Sequence, residues 1–397
     1  MTRELLEKIQ KAIRHENLDG WLFCNFRHRD RLADQILDRS DSLANSRLWV
    51  YAVPARGEPL AITHVIESGH LDGLPAGTRR CYANRAGLRE CLVPLKEKRW
   101  GVHLSEQITA ISYLDGGTAA LFSGAGLILT SAESLIQRFK SLLDRAQIES
   151  HERAANGLYE IVESVWDFVC ASYKSGAVIY EGDLRDRMED GFVRRNLVRD
   201  HPPLAAAGKN SANPHYDFTG KGSMVQAGDV IQLDLWAKEV DGIYADISWA
   251  GYYGKNPPKE IEAAFACVLE ARDRAFDFIA ASFAEHRPVT GAEVDHEARR
   301  VLFNRGYGEA VKHRTGHGID TNVHGSGVNI DETEFPDTRR ILEGSCFSLE
   351  PGIYLTDYGF RTEIDVYIDG GKALVSGGAV PLTGSKITRL QRALLEL

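Results

Sequence analysis

From the first residues, apolar positions recur at helical spacing. Leu5, Leu6, Ile9, Ala12 and Ile13 lie among charged residues over 1–18, which predicts an amphipathic helix. The Asp19-Gly20 pair breaks that pattern, and Trp21 to Phe26 then reads as a strand. Leu48 to Val53 and Leu60 to Thr63 predict a hairpin around Arg56-Gly57, and Trp100 to Leu104 a further strand. Thr130 and Glu133 have capping-box spacing, so a helix is expected to start there and continue through Leu135, Ile136, Phe139, Leu142 and Leu143. These elements compose a compact α/β unit.

From about Ser150 the pattern changes to long amphipathic helices separated by strands. Leu158, Ile161, Val162, Val165, Phe168 and Val169 form one helical stripe that ends at Gly176; Ile261, Phe265, Val268, Leu269 and Phe276 form another. Between them, a strand from Gly228 to Leu235 turns at Asp241-Gly242 into a second from Ile243 to Trp249. The expected organisation is an amino-terminal domain over 1–147 and a second domain over 148–397. With 397 residues, two cores are more economical than one.

Composition narrows the function classes. A formal charge of -9 argues against a nucleic-acid partner, which calls for a basic face. No uncharged apolar run is long enough to span a bilayer, so no membrane partner is expected. The six cysteines form no Cys-x-x-Cys pair and sit mostly in apolar contexts, so they read as reduced thiols of a cytoplasmic protein.

The chemistry gathers near the carboxyl terminus. His313, His317 and His324 fall within twelve residues, with a glycine on either side of His317 that leaves its imidazole uncrowded. Downstream, Phe360 to Tyr367 alternates strictly, placing Arg361, Glu363 and Asp365 on one face of a predicted strand. Asp234 and Asp246 likewise interrupt apolar strands, and Glu350 follows one. A buried carboxylate without a partner would be driven to its neutral form, so these acids call for a cation. Lone acids in strands are ordinarily edge residues or ion-pair members, and Asp241 and Asp365 are read that way. Four carboxylates and one imidazole match two divalent ions, with Mn(II) favoured and Co(II) or Zn(II) as alternatives. Two ions roughly 3.5 Å apart can activate a shared water and hold the carbonyl it attacks.

Asp234, Asp246, His317, Glu350 and Glu363, together with the Gly-His-Gly, Val-His and Glu-Pro-Gly-Ile-Tyr stretches, resemble the pita-bread metallopeptidases (methionine aminopeptidase, aminopeptidase P, prolidase). The two-domain length and Asn213-Pro214-His215-Tyr216 are similar to the branch that cleaves Xaa-Pro bonds. The resemblance implies an α+β protein: a small creatinase-like α/β amino-terminal domain, then a pita-bread catalytic domain with a curved antiparallel sheet and flanking helices. It implies that Asp234 holds one metal and His317 the other, that Asp246 and Glu363 bridge both, and that Glu350 is a ligand that also moves protons. His324 would stabilise the tetrahedral intermediate, His215 would face the substrate from the other side, Arg361 would pair with a ligand carboxylate, and His313 would line the pocket. Proline-containing dipeptides or short peptides are the implied substrates, and a homodimer the implied assembly.

Three positions depart from the family pattern. Asp234 and Asp246 are twelve apart instead of the usual eleven, which a bulge in the Lys238–Gly242 turn would absorb. Ser248 stands where a threonine is usual. Gly325-Ser326-Gly327-Val328 lacks the acidic residue and arginine that prolidases often carry after the second histidine, leaving the choice between dipeptides and longer peptides open. The competing readings are a creatinase-like amidinohydrolase, which works without metal, and a non-catalytic binding module on the same fold. Both expect altered ligand positions, and all five ligand residues are present.

Overall fold

A computed structural model describes residues 1–39, 42–377 and 390–397, which divide into two compact units, Met1–Lys140 and Ser141–Leu397. The 147/148 position lies inside a helix of the second unit. Among the described residues, no helix is long and apolar enough to cross a membrane.

The first unit is built on a six-stranded mixed sheet: β1 (Gly20–Asn25), β2 (Trp49–Pro54), β3 (Leu60–His64), β4 (Thr78–Tyr82), β5 (Arg99–Val102) and β6 (Ile128–Ser131), in the order β4-β3-β2-β1-β5-β6. β1 is buried along its whole length because both faces are covered. Trp21 and Phe23 point into a core shared with Leu6, Ile9 and Ile13 of α1 (Arg3–His15) and Leu32 of α2 (Arg31–Ile36). Leu22 and Cys24 point the other way, toward Leu88 and Leu92 of α3 (Arg85–Leu92) and Phe122 of α4 (Gly116–Gly124). Polar, largely exposed β4 (TRRCY) gives no strand signal in sequence.

The helix expected from Thr130 forms only as the single turn α5 (Glu133–Ile136), followed by a π turn over Gln137–Ser141. Parallel pairing with β5 takes Thr130 and Ser131 into the sheet. Glu133 accepts from the Ser131 and Ser105 hydroxyls instead of closing a capping box with Thr130.

In the second unit, α6 (Arg145–Ser175) starts at an Asp144–Gln147 capping box and ends at Gly176, whose φ of 71° is one that glycine accepts without strain. With α7 (Glu181–Arg194) it covers one face of a sheet made of β7 (Leu197–Val198), β8 (Leu204–Ala207), β9 (Val230–Glu239) and β10 (Ala245–Tyr252). Alternation sorts the side chains. Ile231, Leu233, Leu235, Ile247 and Trp249 face the helices, leaving Gln232, Asp234, Asp246 and Ser248 on the other face. A second layer pairs α8 (Lys259–Ala284) and α9 (Gly291–Asn304) with β11 (Cys346–Leu349), β12 (Gly352–Tyr354), β13 (Gly359–Arg361), β14 (Ile364–Asp369) and β15 (Lys372–Val375). Phe347, Leu349, Ile364, Val366 and Ile368 join that helical core, and Ser348 and Asp365 point away from it.

Candidate metal centre

Strands β9 and β10 form one wall. Their register pairs Asp234 with Ser248 and Trp236 with Asp246, so both acids share a face at a two-residue offset. Pairing runs unbroken from Val230↔Tyr252 to Ala237↔Ala245, so no bulge is present. The two strands are joined over 240–244, where Asp241 adopts φ 61° and Gly242 N donates to Glu239 O at 2.9 Å. Asp241 is thus an exposed turn residue.

His317 lies on an extended segment laid along β11. Ser348 N donates to His317 O at 2.9 Å and Glu350 N to Thr315 O at 2.7 Å. The flanking glycines answer to backbone packing, not to room for the imidazole: a Cβ on Gly316 would strike the Ser348 carbonyl, and one on Gly318 would meet the Gly327 backbone at 2.7 Å. His317 Nδ1 lies 3.3 Å from Gly318 O, which leaves Nε2 facing Asp246 Oδ2 at 3.6 Å and Glu350 Oε1 at 3.5 Å.

Glu363 sits at a break in what alternation predicts as one continuous strand over 360–367. β13 pairs with β12, whereas β14 pairs with β11 and β15. The chain changes partner at Thr362-Glu363: Arg361 N donates to Gln232 Oε1 at 3.0 Å and Glu363 N to Ser248 O at 3.0 Å. Glu363 thereby joins Asp246 and His317, each offering a ligand atom within 4.8 Å of the others.

Asp234 and Glu350 border this cluster. Ser248 Oγ lies 2.8 Å from Asp234 Oδ1 and 2.9 Å from Glu363 Oε2, where its one proton serves one acid at a time, and it accepts from Arg361 Nε at 2.9 Å. The Arg361 guanidinium also pairs with Asp234 Oδ2, while its Nε stands 3.9 Å from Glu350 Oε2. Ser348 Oγ accepts from His317 N at 3.1 Å and lies 3.3 Å from Glu350 Oε1.

The electrostatics test the fit to a cation. Burial, then the charges of Asp234 and Glu350, push the Asp246 carboxyl well above the carboxylate range. Burial, then Asp246, Glu350 and Asp234, do the same to Glu363. Asp246 Oδ1 and Glu363 Oε1 are buried with no hydrogen-bond partner among the described residues. Burial opposes the charge on Arg361, but Asp234, Tyr354, Glu350 and Glu363 outweigh it and raise its pKa. One guanidinium cannot balance four acids. Oxygen-rich donors with one imidazole and two unpartnered carboxylate oxygens therefore fit divalent metal.

The other histidines differ in setting. The His324 ring lies 4.3 Å from that of His317; the neighbouring imidazole, then burial, lower its pKa to about 3, so it is neutral at physiological pH. Its loop is closed by Asp320, which accepts from Asn322 N at 2.9 Å and Ser326 N at 3.0 Å. His215 is exposed, and Arg361 Nη1 donates to the carbonyl of the preceding Pro214 at 3.2 Å. His313 lies 2.7 Å from both Tyr354 OH and Arg314 O, and burial lowers it to about 4. Both its ring nitrogens are committed, so it buttresses Tyr354.

Asp365, read from sequence as an edge or ion-pair acid, is fully buried in a central strand and accepts from Asp246 N at 2.7 Å. Its sharing of a face with Glu363 in the alternation was the available signal. Ser348 had none, because a lone hydroxyl beside a ligand looks like any strand residue, and Tyr354 was legible only as the end of the Glu-Pro-Gly-Ile-Tyr stretch, with no role attached.

The model of metallopeptidase family M24 matches residues 149–370, more than half of the chain. An Xaa-Pro dipeptidase of Lactobacillus helveticus is 35% identical over 161 residues, 40% of this chain and 40% of that protein, so the alignment spans less than half of the relative's length. Among solved structures, dipeptidase PepE from Mycobacterium ulcerans superposes with a TM-score of 0.70 at 21% identity, covering 94% of both chains. The X-prolyl aminopeptidase of Caenorhabditis elegans, described as a cytosolic enzyme with a di-nuclear active site, superposes with a TM-score of 0.63 at 19% identity over 92% of this chain and 58% of its own. These likenesses identify the fold as α+β of the pita-bread type, and with the family match over its second unit the chain belongs to metallopeptidase family M24.

Proposed function

We propose that this chain is a metal-dependent exopeptidase that hydrolyses the bond between an amino-terminal residue and a following proline, in dipeptides or short peptides. The observation that carries this reading is the Asp246–His317–Glu363 cluster, with two unpartnered carboxylate oxygens, beside the neutral ring of His324. Asp234, Asp246, His317, Glu350 and Glu363 would hold two divalent ions, with Asp246 and Glu363 serving both; Mn(II) suits this donor set best, with Co(II) and Zn(II) as alternatives. When bound, the ions supply a water of lowered pKa and polarise the scissile carbonyl. Glu350, whose Oε1 lies 3.5 Å from His317 Nε2, would serve as the proton carrier of the site, delivering a proton to the prolyl nitrogen, a tertiary amide nitrogen that must leave as a secondary amine. His324 donates its ring N–H to the developing oxyanion, and His215 approaches the substrate from the opposite side. A creatinase-like amidinohydrolase or a non-catalytic module is not favoured, since all five ligand residues stand. Residues 148–397 would be the catalytic domain of a cytoplasmic homodimer, and the six free cysteines accord with a reducing compartment.

The test is hydrolysis of alanyl-proline and of alanyl-prolyl-alanine by chelator-treated protein before and after Mn(II), Co(II) or Zn(II) is restored. The expected outcome is no proline-bond cleavage without metal and recovery with Mn(II). Undiminished cleavage in excess chelator, or none with any metal, would overturn the proposal. Sedimentation of the same sample should give twice the chain mass.

A further inference from the structure

Glu181, the first residue of α7, is fully buried and touches none of the proposed metal ligands. Its Oε1 accepts from Ala207 N at 2.9 Å and Asn210 Nδ2 at 2.9 Å. Its Oε2 accepts from Tyr216 OH at 2.9 Å and Ser223 N at 2.7 Å. All four donors belong to one stretch, 207–223, and that stretch carries His215. The first turn of α7 grips the far end of the same stretch: Glu181 N donates to Ser223 O at 3.0 Å and Gly182 N to Lys221 O at 2.8 Å. Glycine is required at 182, because a Cβ there would lie 2.9 Å from Lys221 O. A carboxylate at a helix amino terminus that accepts four bonds is a rigid anchor, favoured by the helix dipole and by charge-assisted hydrogen bonding.

The other side of His215 is anchored to the metal centre. Arg361 donates to Pro214 O, and the same guanidinium pairs with Asp234 and Ser248. Asn213 Oδ1 accepts from His215 N at 3.1 Å, and Asn210 Nδ2 lies 2.8 Å from Tyr216 OH. The exposed His215 imidazole makes no hydrogen bond among the described residues. Its place is therefore set by its backbone, which is pinned at Pro214 by Arg361 and at Tyr216 by Glu181.

We propose that Glu181 is a positioning residue for the reaction: through Tyr216 and Asn210 it sets where His215 stands relative to His324. This rests on the reading of His215 as a substrate-facing group. Glu181 contacts neither substrate nor ion; its effect on turnover passes through His215 alone.

The experiment is a double-mutant cycle on the Mn(II)-loaded protein with alanyl-proline, using Glu181→Gln, His215→Ala and their combination, with Tyr216→Phe as a milder probe. Gln keeps the size of Glu181 but turns one acceptor into a donor facing donors. The expected result is a fall in kcat for Glu181→Gln that approaches the fall for His215→Ala, with KM within about twofold, and a combined variant within about twofold of His215→Ala alone. Tyr216→Phe, which removes one donor and leaves the fold's other anchors in place, should lower kcat in the same direction and add nothing to His215→Ala. Multiplicative losses in the combined variants, or a Tyr216→Phe protein with wild-type kcat, would overturn the proposal. Full activity in His215→Ala would remove both His215 and this inference while leaving metal-dependent cleavage intact. Loss of cleavage in the wild-type protein under all metals would instead strike the peptidase reading itself.

Discussion

Ser248 is a small residue with a large share of the site. Its hydroxyl lies between Asp234 and Glu363 while accepting from Arg361, so it spaces two acids that would otherwise repel and fixes which oxygens remain for a cation. Groups that orient metal ligands are worth about 10–100-fold in metal affinity when removed. Ser248→Ala should therefore weaken Mn(II) binding by about that factor, read by competition with a chromogenic chelator. An unchanged affinity would mean that Arg361 alone orients Asp234. At this scale the sequence was legible where chemistry is unusual for its setting. Acids in apolar strands and a histidine between glycines announce themselves, although the glycines served backbone contact. Ser348 stayed hidden because its importance comes from the strand it faces, which only the three-dimensional pairing reveals, whereas Asp365 shared a face with Glu363 in the alternation and was read as an ordinary edge or ion-pair acid.

Between elements, helix α6 is tied to the strands beneath it by His151. Its fully buried ring lies 2.6 Å from both Tyr244 O and Ser376 Oγ, with Asp365 Oδ2 at 3.9 Å. Burial lowers its pKa to about 4, from an ordinary value near 6.5. A histidine depressed by folding takes up its proton first in the unfolded chain, so its contribution to stability is complete above about pH 6.5 and is lost as pH falls toward 4. The span of the shift corresponds to about 3 kcal/mol. Urea midpoints measured from pH 7.5 to 4 should fall, and His151→Gln should flatten the decline; an equally steep decline in the variant would assign the acid sensitivity to other groups. The elements themselves were read well where burial is regular. Alternation in β9 and β10 and the stripes of α6 and α8 are period signals that the packing obeys. The expected helix at Thr130 and the single strand over 360–367 failed for a shared reason: pairing partners, which sequence does not display, captured Thr130 and Ser131 in one case and split the strand in the other.

For the whole second unit, the same acids that would bind metal burden the metal-free protein. Among the described residues, Asp234, Asp246, Glu350 and Glu363 share the Arg361 guanidinium, and Asp246 and Glu363 are pushed toward neutrality by burial and by the neighbouring acids. A ligand that binds only the folded chain stabilises it by about 2.7 kcal/mol at a hundredfold excess over Kd. Calorimetry should therefore show the melting transition rise as Mn(II) is titrated into chelator-treated protein, and a transition indifferent to metal would mean that the acids are not its ligands. Length and texture lead to an expected boundary at 147/148, whereas the compact units divide at Lys140/Ser141; the turn leading into α6 packs with the second unit, where Leu143 N donates to Gly344 O at 2.8 Å.

The seam at Thr362-Glu363 has a mechanical meaning. The chain leaves one ladder there and docks on another, and Glu363 is held by Ser248 at the point of transfer. An ion gripped at once by Asp246 on β10, His317 alongside β11 and Glu363 at the seam would act as a cross-link between the two helix-backed layers. Neither layer could then open on its own without letting go of the ion, so local opening at the seam would cost the binding energy of the ion as well as the bonds that already join the layers.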